Sequence, residues 1–373
     1  MGMPTAASAA AMPPCWQGGR REVDAALSFR LKPAVRRLRL DRPRRIRLQR
    51  RDQSDQPLGA TMALALIFPG QGSQSVGMGR ALYDAFAESR RVFEEVDEAL
   101  GQKLSAIIFE GPEAELTLTA NAQPALMAVS MAALAAMQAR GFDLPGSVRY
   151  VAGHSLGEYS ALAAAGAFTL SDTARLLRIR GESMQQAVPA GEGAMAAILG
   201  LEHGDVAAVC AAASAPGEPC ETANDNGGGQ IVVSGQASAV ERAMALALEK
   251  GAKRAIALPV SAPFHCSLMQ PAAERMREAL ESVAMQRPIV PVVANVLAAP
   301  IDDPAEIRRR LVEQVTGQVR WRECVEFMAG EGVDTMIEIG NGKVLAGLGK
   351  RIDKTVRTIS VGTPADLDLL PGA

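Results

Sequence analysis

The chain has 373 residues, 48% of them hydrophobic, enough to bury one large or two moderate cores. No apolar run approaches the roughly 18 residues of a membrane span, and five scattered cysteines without C-x-x-C spacing argue against a disulfide framework or a zinc site and for a reducing cytoplasm. The formal net charge of −2 hides an asymmetry: residues 1–60 carry 13 Lys and Arg against 5 Asp and Glu, and the remainder carries 26 against 36.

The first 61 residues form a basic arm in which arginines such as Arg36, Arg37, Arg39 and Arg42 alternate with Leu and Pro rather than aromatics. Such charge could touch nucleic acid or anionic lipid. Without the apolar periodicity needed to pack, it reads instead as a disordered extension, a leader or a misread start, with Met62 opening the first strand-like run. That strand, Leu64 to Phe68, runs into a Gly-rich loop, Gly70-Gln71-Gly72. Dinucleotide binding would require a glycine where Ser75 stands. A helix is predicted over Pro124 to Arg140, with Pro124 in the first position and Met127, Met131 and Leu134 on one face.

The most informative segment follows. Val148 to Tyr159 reads as a strand (Tyr150 to Ala152) entering a helix through Gly153-His154-Ser155-Leu156-Gly157, a nucleophile elbow. The backbone reverses so tightly at the serine that side chains two residues either side would clash, hence Gly153 and Gly157. Ser155 is thereby exposed, and the Leu156 amide lies at a helix N-terminus where an oxyanion would form. Arg175, Arg178 and Arg180 share the next apolar-striped helix, and spacing alone does not choose between them.

From Pro189 to Pro259 the order is strand (Ala194 to Leu199), helix (Asp205 to Ala213), strands (Glu221 to Asn226, Gln230 to Ser234), helix (Ser238 to Glu249) and strand (Arg254 to Leu258). This βαββαβ order is ferredoxin-like. The fold class expected is therefore α/β, an α/β-hydrolase-like body over 62–188 and 260–363 with a ferredoxin-like subdomain inserted at 189–259 and a tail at 364–373. A cleft is expected where the two meet. Further strands are predicted at Ile289 to Ala294 and Thr335 to Ile339, while Gly340-Asn341-Gly342-Lys343 lacks the Ser/Thr and spacing of a phosphate loop.

A serine hydroxyl needs a base at neutral pH, and the chain has three histidines. His154 sits inside the elbow, where its side chain should diverge from Ser155 while lining the pocket. His203 starts a helix in the inserted segment and reads as a surface residue. His265, on the loop that returns to the body, is the candidate base. No acid stands near it in sequence, so a backbone carbonyl could orient its other nitrogen. Cys266 reads as a small buried residue.

Phe68-Pro69-Gly70-Gln71-Gly72-Ser73-Gln74, Gly153-His154-Ser155-Leu156-Gly157-Glu158, Arg180-Gly181, Ala262-Pro263-Phe264-His265 and Val319-Arg320-Trp321 together resemble the malonyl-CoA:acyl-carrier-protein transacylases of fatty acid synthesis, over about Met62 to Thr363. The resemblance implies a ping-pong transfer through malonyl-Ser155, with His265 as base then acid. It implies an oxyanion hole from the N–H groups of Gln71 and Leu156, Arg180 on the malonyl carboxylate, and the Gln314 carbonyl on His265. On that footing Gln314→Ala should be mild. Asn224 and Asn226 align with a loop near the cleft, and Leu156 and Phe264 are similar to residues of malonyl-selective members. Gly70 and Gly72 leave the Gln71 amide uncovered, as an oxyanion donor requires. Asn341 departs from the family, which has Pro there. The partners implied are malonyl-CoA and acyl-carrier protein, with no metal or cofactor, no nucleic acid or membrane, and a monomer. Alternatives are an acyltransferase of polyketide synthesis, a serine esterase sharing the elbow, and a noncatalytic binding module.

Overall fold

The computed structural model describes residues 63–370; the basic arm and the final three residues lie outside that range. Among the described residues ten strands form two sheets: β1 (Leu64–Phe68), β2 (Val148–Gly153), β3 (Gly193–Leu199), β4 (Cys220–Asp225), β5 (Gln230–Gln236), β6 (Arg254–Ala257), β7 (Val292–Ala294), β8 (Ala299–Ile301), β9 (Thr335–Ile339) and β10 (Arg357–Val361). The larger sheet has the order β10-β9-β1-β2-β7-β8 and is parallel except for the β7–β8 pair. A parallel sheet covered on both faces needs strands that are apolar throughout, and all five residues of β1 are buried. Successive side chains go to opposite faces. Leu64, Leu66 and Phe68 join a core with the Thr119–Ala139, Gly157–Ala164 and Leu170–Gln186 helices, whereas Ala65 and Ile67 meet Trp321, Cys324 and Leu348 on the other face.

Register fixes the site. Phe68 of β1 pairs with Gly153 of β2, and the His154 N–H donates to the Phe68 carbonyl at 3.0 Å. The glycine-rich loop and the elbow therefore leave the carboxyl ends of neighbouring parallel strands, where ligands bind in open α/β sheets.

The second sheet is antiparallel, order β4-β5-β3-β6, with the His203–Ala213 and Ala237–Glu249 helices sharing its own small core. Gly227, Gly228 and Gly229 all have positive φ and close the β4–β5 turn. A bulge falls between Thr222 and Asn224. Two backbone bonds join β4 to the body: Asp225 N–H to the Val319 carbonyl and Val319 N–H to the Ala223 carbonyl, both 2.9 Å.

Several expectations are corrected. The long helix starts at Thr119, so Pro124 lies inside it, at a position where its missing N–H removes one backbone bond. This helix has an 18-residue window of mean hydropathy 1.2, long and apolar enough for a bilayer, yet 83% of that window is buried in the protein: it is a core helix. The strand expected from Ile289 shrinks to β7, because Pro288 and Pro291 cannot donate to a ladder and Ile289 is exposed. Strands β8 and β10 were not expected. Within the expected tail, Pro364–Leu369 forms a 3₁₀ helix capped by Thr363 and Asp366, and Leu367 is buried in the main core.

Candidate active site

Ser155 has φ 54°, a left-handed conformation that a non-glycine residue holds only when its surroundings over-determine it. They do. A Cβ on Gly153 would lie 1.9 Å from the Gly157 carbonyl carbon, and one on Gly157 would lie 2.3 Å from the Phe68 oxygen. Asn295, just past the end of β7, clamps the turn: its Oδ1 accepts from the Ser155 N–H at 2.8 Å and its Nδ2 donates to the Gly153 carbonyl at 2.7 Å.

The Ser155 hydroxyl lies 2.7 Å from His265 Nε2, and His265 Nδ1 lies 2.9 Å from the Gln314 carbonyl oxygen. A carbonyl only accepts, so Nδ1 carries the proton and Nε2 of the neutral ring is free to take one from Ser155. Burial pushes the His265 pKa down to about 3, with the Arg180 charge as the next cause. At neutral pH the imidazole is therefore an unprotonated base. The arrangement can deprotonate the hydroxyl without an acid behind the histidine.

The choice among the three arginines is resolved by burial. Arg175 pairs with Asp172 at the surface, and Arg178 donates to Asn121 and Gln102. Arg180 is 1% exposed. Its Nη2 donates to Ser155 Oγ at 3.1 Å and to Gln314 Oε1 at 3.0 Å, and its Nη1 to Gln123 Oε1 at 2.7 Å. All three acceptors are neutral.

A cavity of about 470 Å³ opens over Ser155, lined from both sheets. Gln71, Leu156, His154, Asn224 and Phe264 all reach it. Neither the Gln71 nor the Leu156 N–H donates to another described group, which leaves both amides free for an oxyanion beside Ser155. His154 turns away from Ser155 and its Nε2 donates to Asn226 Oδ1 at 2.9 Å, while burial lowers its pKa. Asn226 is thus placed behind His154 rather than in the cavity. His203 pairs with Gln318 instead of Ser155. Cys266 is buried, donates to the Pro263 carbonyl, and burial pushes its thiol up to about 11. Asn341 donates to the Ser73 carbonyl and Ser75 Oγ, bracing the glycine-rich loop.

Gln314 is the main correction. Besides its carbonyl on His265, its side chain donates from Nε2 to Glu158 Oε2 at 2.8 Å and to the Ser155 carbonyl at 3.1 Å, so a mild effect of Gln314→Ala no longer follows. Sequence reasoning also assigned no role to Glu158, Asn295 or Gln123. Glu158 stood within the elbow motif, three residues after the serine. Asn295 ends an apolar strand and Gln123 interrupts an apolar helix, and a polar residue in such a place is the signal that could have found them. Burial raises the Glu158 pKa to about 7, against lowering by the Asn295 N–H, Gln314 and Arg180.

The family model for the acyl transferase domain matches residues 65–363. The malonyl CoA-acyl carrier protein transacylase of Bacillus subtilis strain 168 is 48% identical over 306 residues, 82% of this chain and 95% of that protein. Among solved structures, the acyl-carrier-protein-S-malonyltransferase of Bartonella henselae superposes with a TM-score of 0.81 at 58% identity, covering 83% of this chain and 98% of that one. A malonyl-transacylase solved in complex with its type II PKS acyl-carrier protein gives a TM-score of 0.79 at 42% identity, over 82% and 98% of the two chains.

Proposed function

We propose, for a chain that belongs to the malonyl CoA-acyl carrier protein transacylase family of acyl transferases, that it carries malonyl from malonyl-CoA to the phosphopantetheine thiol of acyl-carrier protein. His265 takes the Ser155 proton as Ser155 Oγ attacks the thioester carbonyl. The oxyanion is met by the Gln71 and Leu156 N–H groups, and coenzyme A leaves with the proton from His265. In the second half the carrier thiol gives its proton to His265, its sulfur attacks the malonyl-serine ester, and Ser155 departs reprotonated. Each half-reaction returns the imidazole to its starting state.

The observation that carries the malonyl reading is Arg180: a buried guanidinium 3.1 Å from the nucleophile whose hydrogen bonds all go to neutral oxygens. A buried charge that no carboxylate touches directly is costly, Glu158 reaching it only through Gln314, and a carboxylate on the acyl group would compensate it. The same reading takes in fatty acid synthesis as the pathway, a monomer in the cytoplasm, and no cofactor beyond the carrier's own arm. The 42% identical complex favours a polyketide carrier as the second reading. The sheet order β4-β5-β3-β6 supports a ferredoxin-like subdomain over 189–259, set into an α/β-hydrolase-like body over 62–188 and 260–363.

Radiolabelled malonyl-CoA should label the peptide containing Ser155 and lose the label to a carrier thiol, and Ser155→Ala should abolish labelling with the fold intact. Label retained on another residue would refute the assignment.

A further inference from the structure

We propose that a buried relay from Glu158 through the Gln314 side chain positions Arg180, so that preference for a carboxylated acyl group is set two residues behind the arginine itself; this rests on the malonyl reading above. Gln314 meets His265, Arg180, Glu158, Asn295 and the Ser155 carbonyl because the Pro304–Thr316 helix delivers it, fully buried, beneath the elbow. Its backbone carbonyl serves His265, and its side-chain amide serves something else. The amide oxygen accepts from Arg180 Nη2 at 3.0 Å, and the amide nitrogen faces Glu158 Oε2 at 2.8 Å, the Ser155 carbonyl at 3.1 Å and Asn295 Oδ1 at 3.3 Å.

A primary amide has two ends of nearly equal size, and its partners decide which way it lies. Every neighbour on the Glu158 side is an acceptor, so the NH₂ faces that side and the oxygen faces the guanidinium. Reversal would set NH₂ against N–H at Arg180 and oxygen against oxygen at Glu158. Glu158 makes the shortest of these contacts. Its Oε2 also accepts from the Asn295 N–H at 2.9 Å, which pins the carboxyl in place. Because this one oxygen accepts two N–H bonds, it plays its part whether or not the other oxygen is protonated. Gln123 holds the second prong of Arg180 at 2.7 Å. A planar fork fixed at both prongs presents one orientation to a ligand.

The test compares the kcat/KM ratio for malonyl-CoA over acetyl-CoA in the full chain. Gln314→Met keeps the backbone carbonyl and removes the amide; it should lower the ratio by about tenfold or more, the scale of a lost hydrogen bond to a charged group. The loss should sit mainly in KM for malonyl-CoA, since a misaimed anchor weakens ground state and transition state alike. Glu158→Met should lower the ratio in the same direction, and Glu158→Gln, which retains an acceptor oxygen, should restore most of it. The double variant Gln314→Met with Glu158→Met should be no worse than Gln314→Met alone, as expected when one residue acts through the other.

A merely structural role would slow both substrates equally and leave the ratio unmoved, and that result overturns the relay. Losses that multiply in the double variant overturn the claim that Glu158 acts through Gln314. If Glu158→Met does not fold, Gln314→Met and Glu158→Gln carry the test. Arg180→Ala is run beside them: an unchanged ratio there defeats the malonyl reading itself, whereas a collapsed ratio there with intact preference in Gln314→Met defeats the relay alone.

Discussion

At the scale of single residues, the site is a contest between burial and charge, and the direction of each shift predicts a measurement. His265 is held unprotonated first by burial and then by the Arg180 charge. Arg180→Ala removes the second cause, so the imidazole should become more basic and the acid limb of kcat/KM for acetyl-CoA should move to higher pH. A limb that stays in place would show that Arg180 does not act on His265. His265→Ala should slow both half-reactions by roughly 10² to 10⁴, the range for lost acid–base assistance, and single-turnover labelling followed by transfer to carrier separates the two. Arg180→Lys should recover only part of the malonyl preference lost in Arg180→Ala, because an ammonium cannot form the fork; full recovery would mean that charge alone suffices. Much of this was legible in the sequence. Ser155 and His265 follow from an elbow and three histidines. Arg180 did not separate from Arg175 and Arg178, although positions two apart on a helix point roughly 200° away from each other, because nothing local says which face meets the site. The Glu158–Gln314 bond spans 156 positions, and a contact between such distant residues leaves no local pattern to read.

At the scale of elements, the glycines of the elbow are the sharpest constraint. A methyl at Gly157 would meet backbone on both sides of the Phe68–Pro69 peptide, at 2.3 Å from one oxygen and 2.9 Å from the other. Backbone at the end of a central strand cannot swing aside as a side chain can. Gly157→Ala should therefore cost at least the roughly 1–3 kcal/mol of an overpacked core. It should also push the Gln71 loop away from Leu156 and lower kcat. Gly347, inside the Val344–Ile352 helix, is the contrast: a Cβ there meets nothing within 4 Å. Gly347→Ala should be neutral or stabilising by about 0.5–1 kcal/mol, through helix propensity. Thermal melts of the two variants check both signs, and a stable Gly157→Ala would show that the elbow has slack. The central strands β1 and β9 were readable to the residue: β1 is apolar throughout, and β9 is interrupted only by Thr335 and by Glu338, whose buried carboxylate accepts the Leu345 and Ala346 N–H groups. The edge strands β8 and β10 were not. Edge strands are half-covered, and in Arg357–Val361 only Ile359 and Val361 are buried, too short an apolar signal to stand out.

At the scale of the whole molecule, the catalytic contacts described above all join residues within 63–370, and the family match runs from 65 to 363. A chain starting at Met62 should therefore retain malonyl transfer within about twofold, the scatter expected of changes away from the site. A purified truncated protein that loses transfer would assign the arm a part in the reaction. The seam between β4 and Val319 has a consequence for how the cleft works. Two backbone bonds on either side of Asn224 stitch the second sheet to the body immediately beside the cavity. The wall bearing Asn224 is thus a fixed cheek of a slot rather than one jaw of a hinge. Its ordering entropy is met once, when the chain folds, instead of at each turnover. Two large carriers can then take turns at a rigid opening while the small acyl group waits inside on its serine.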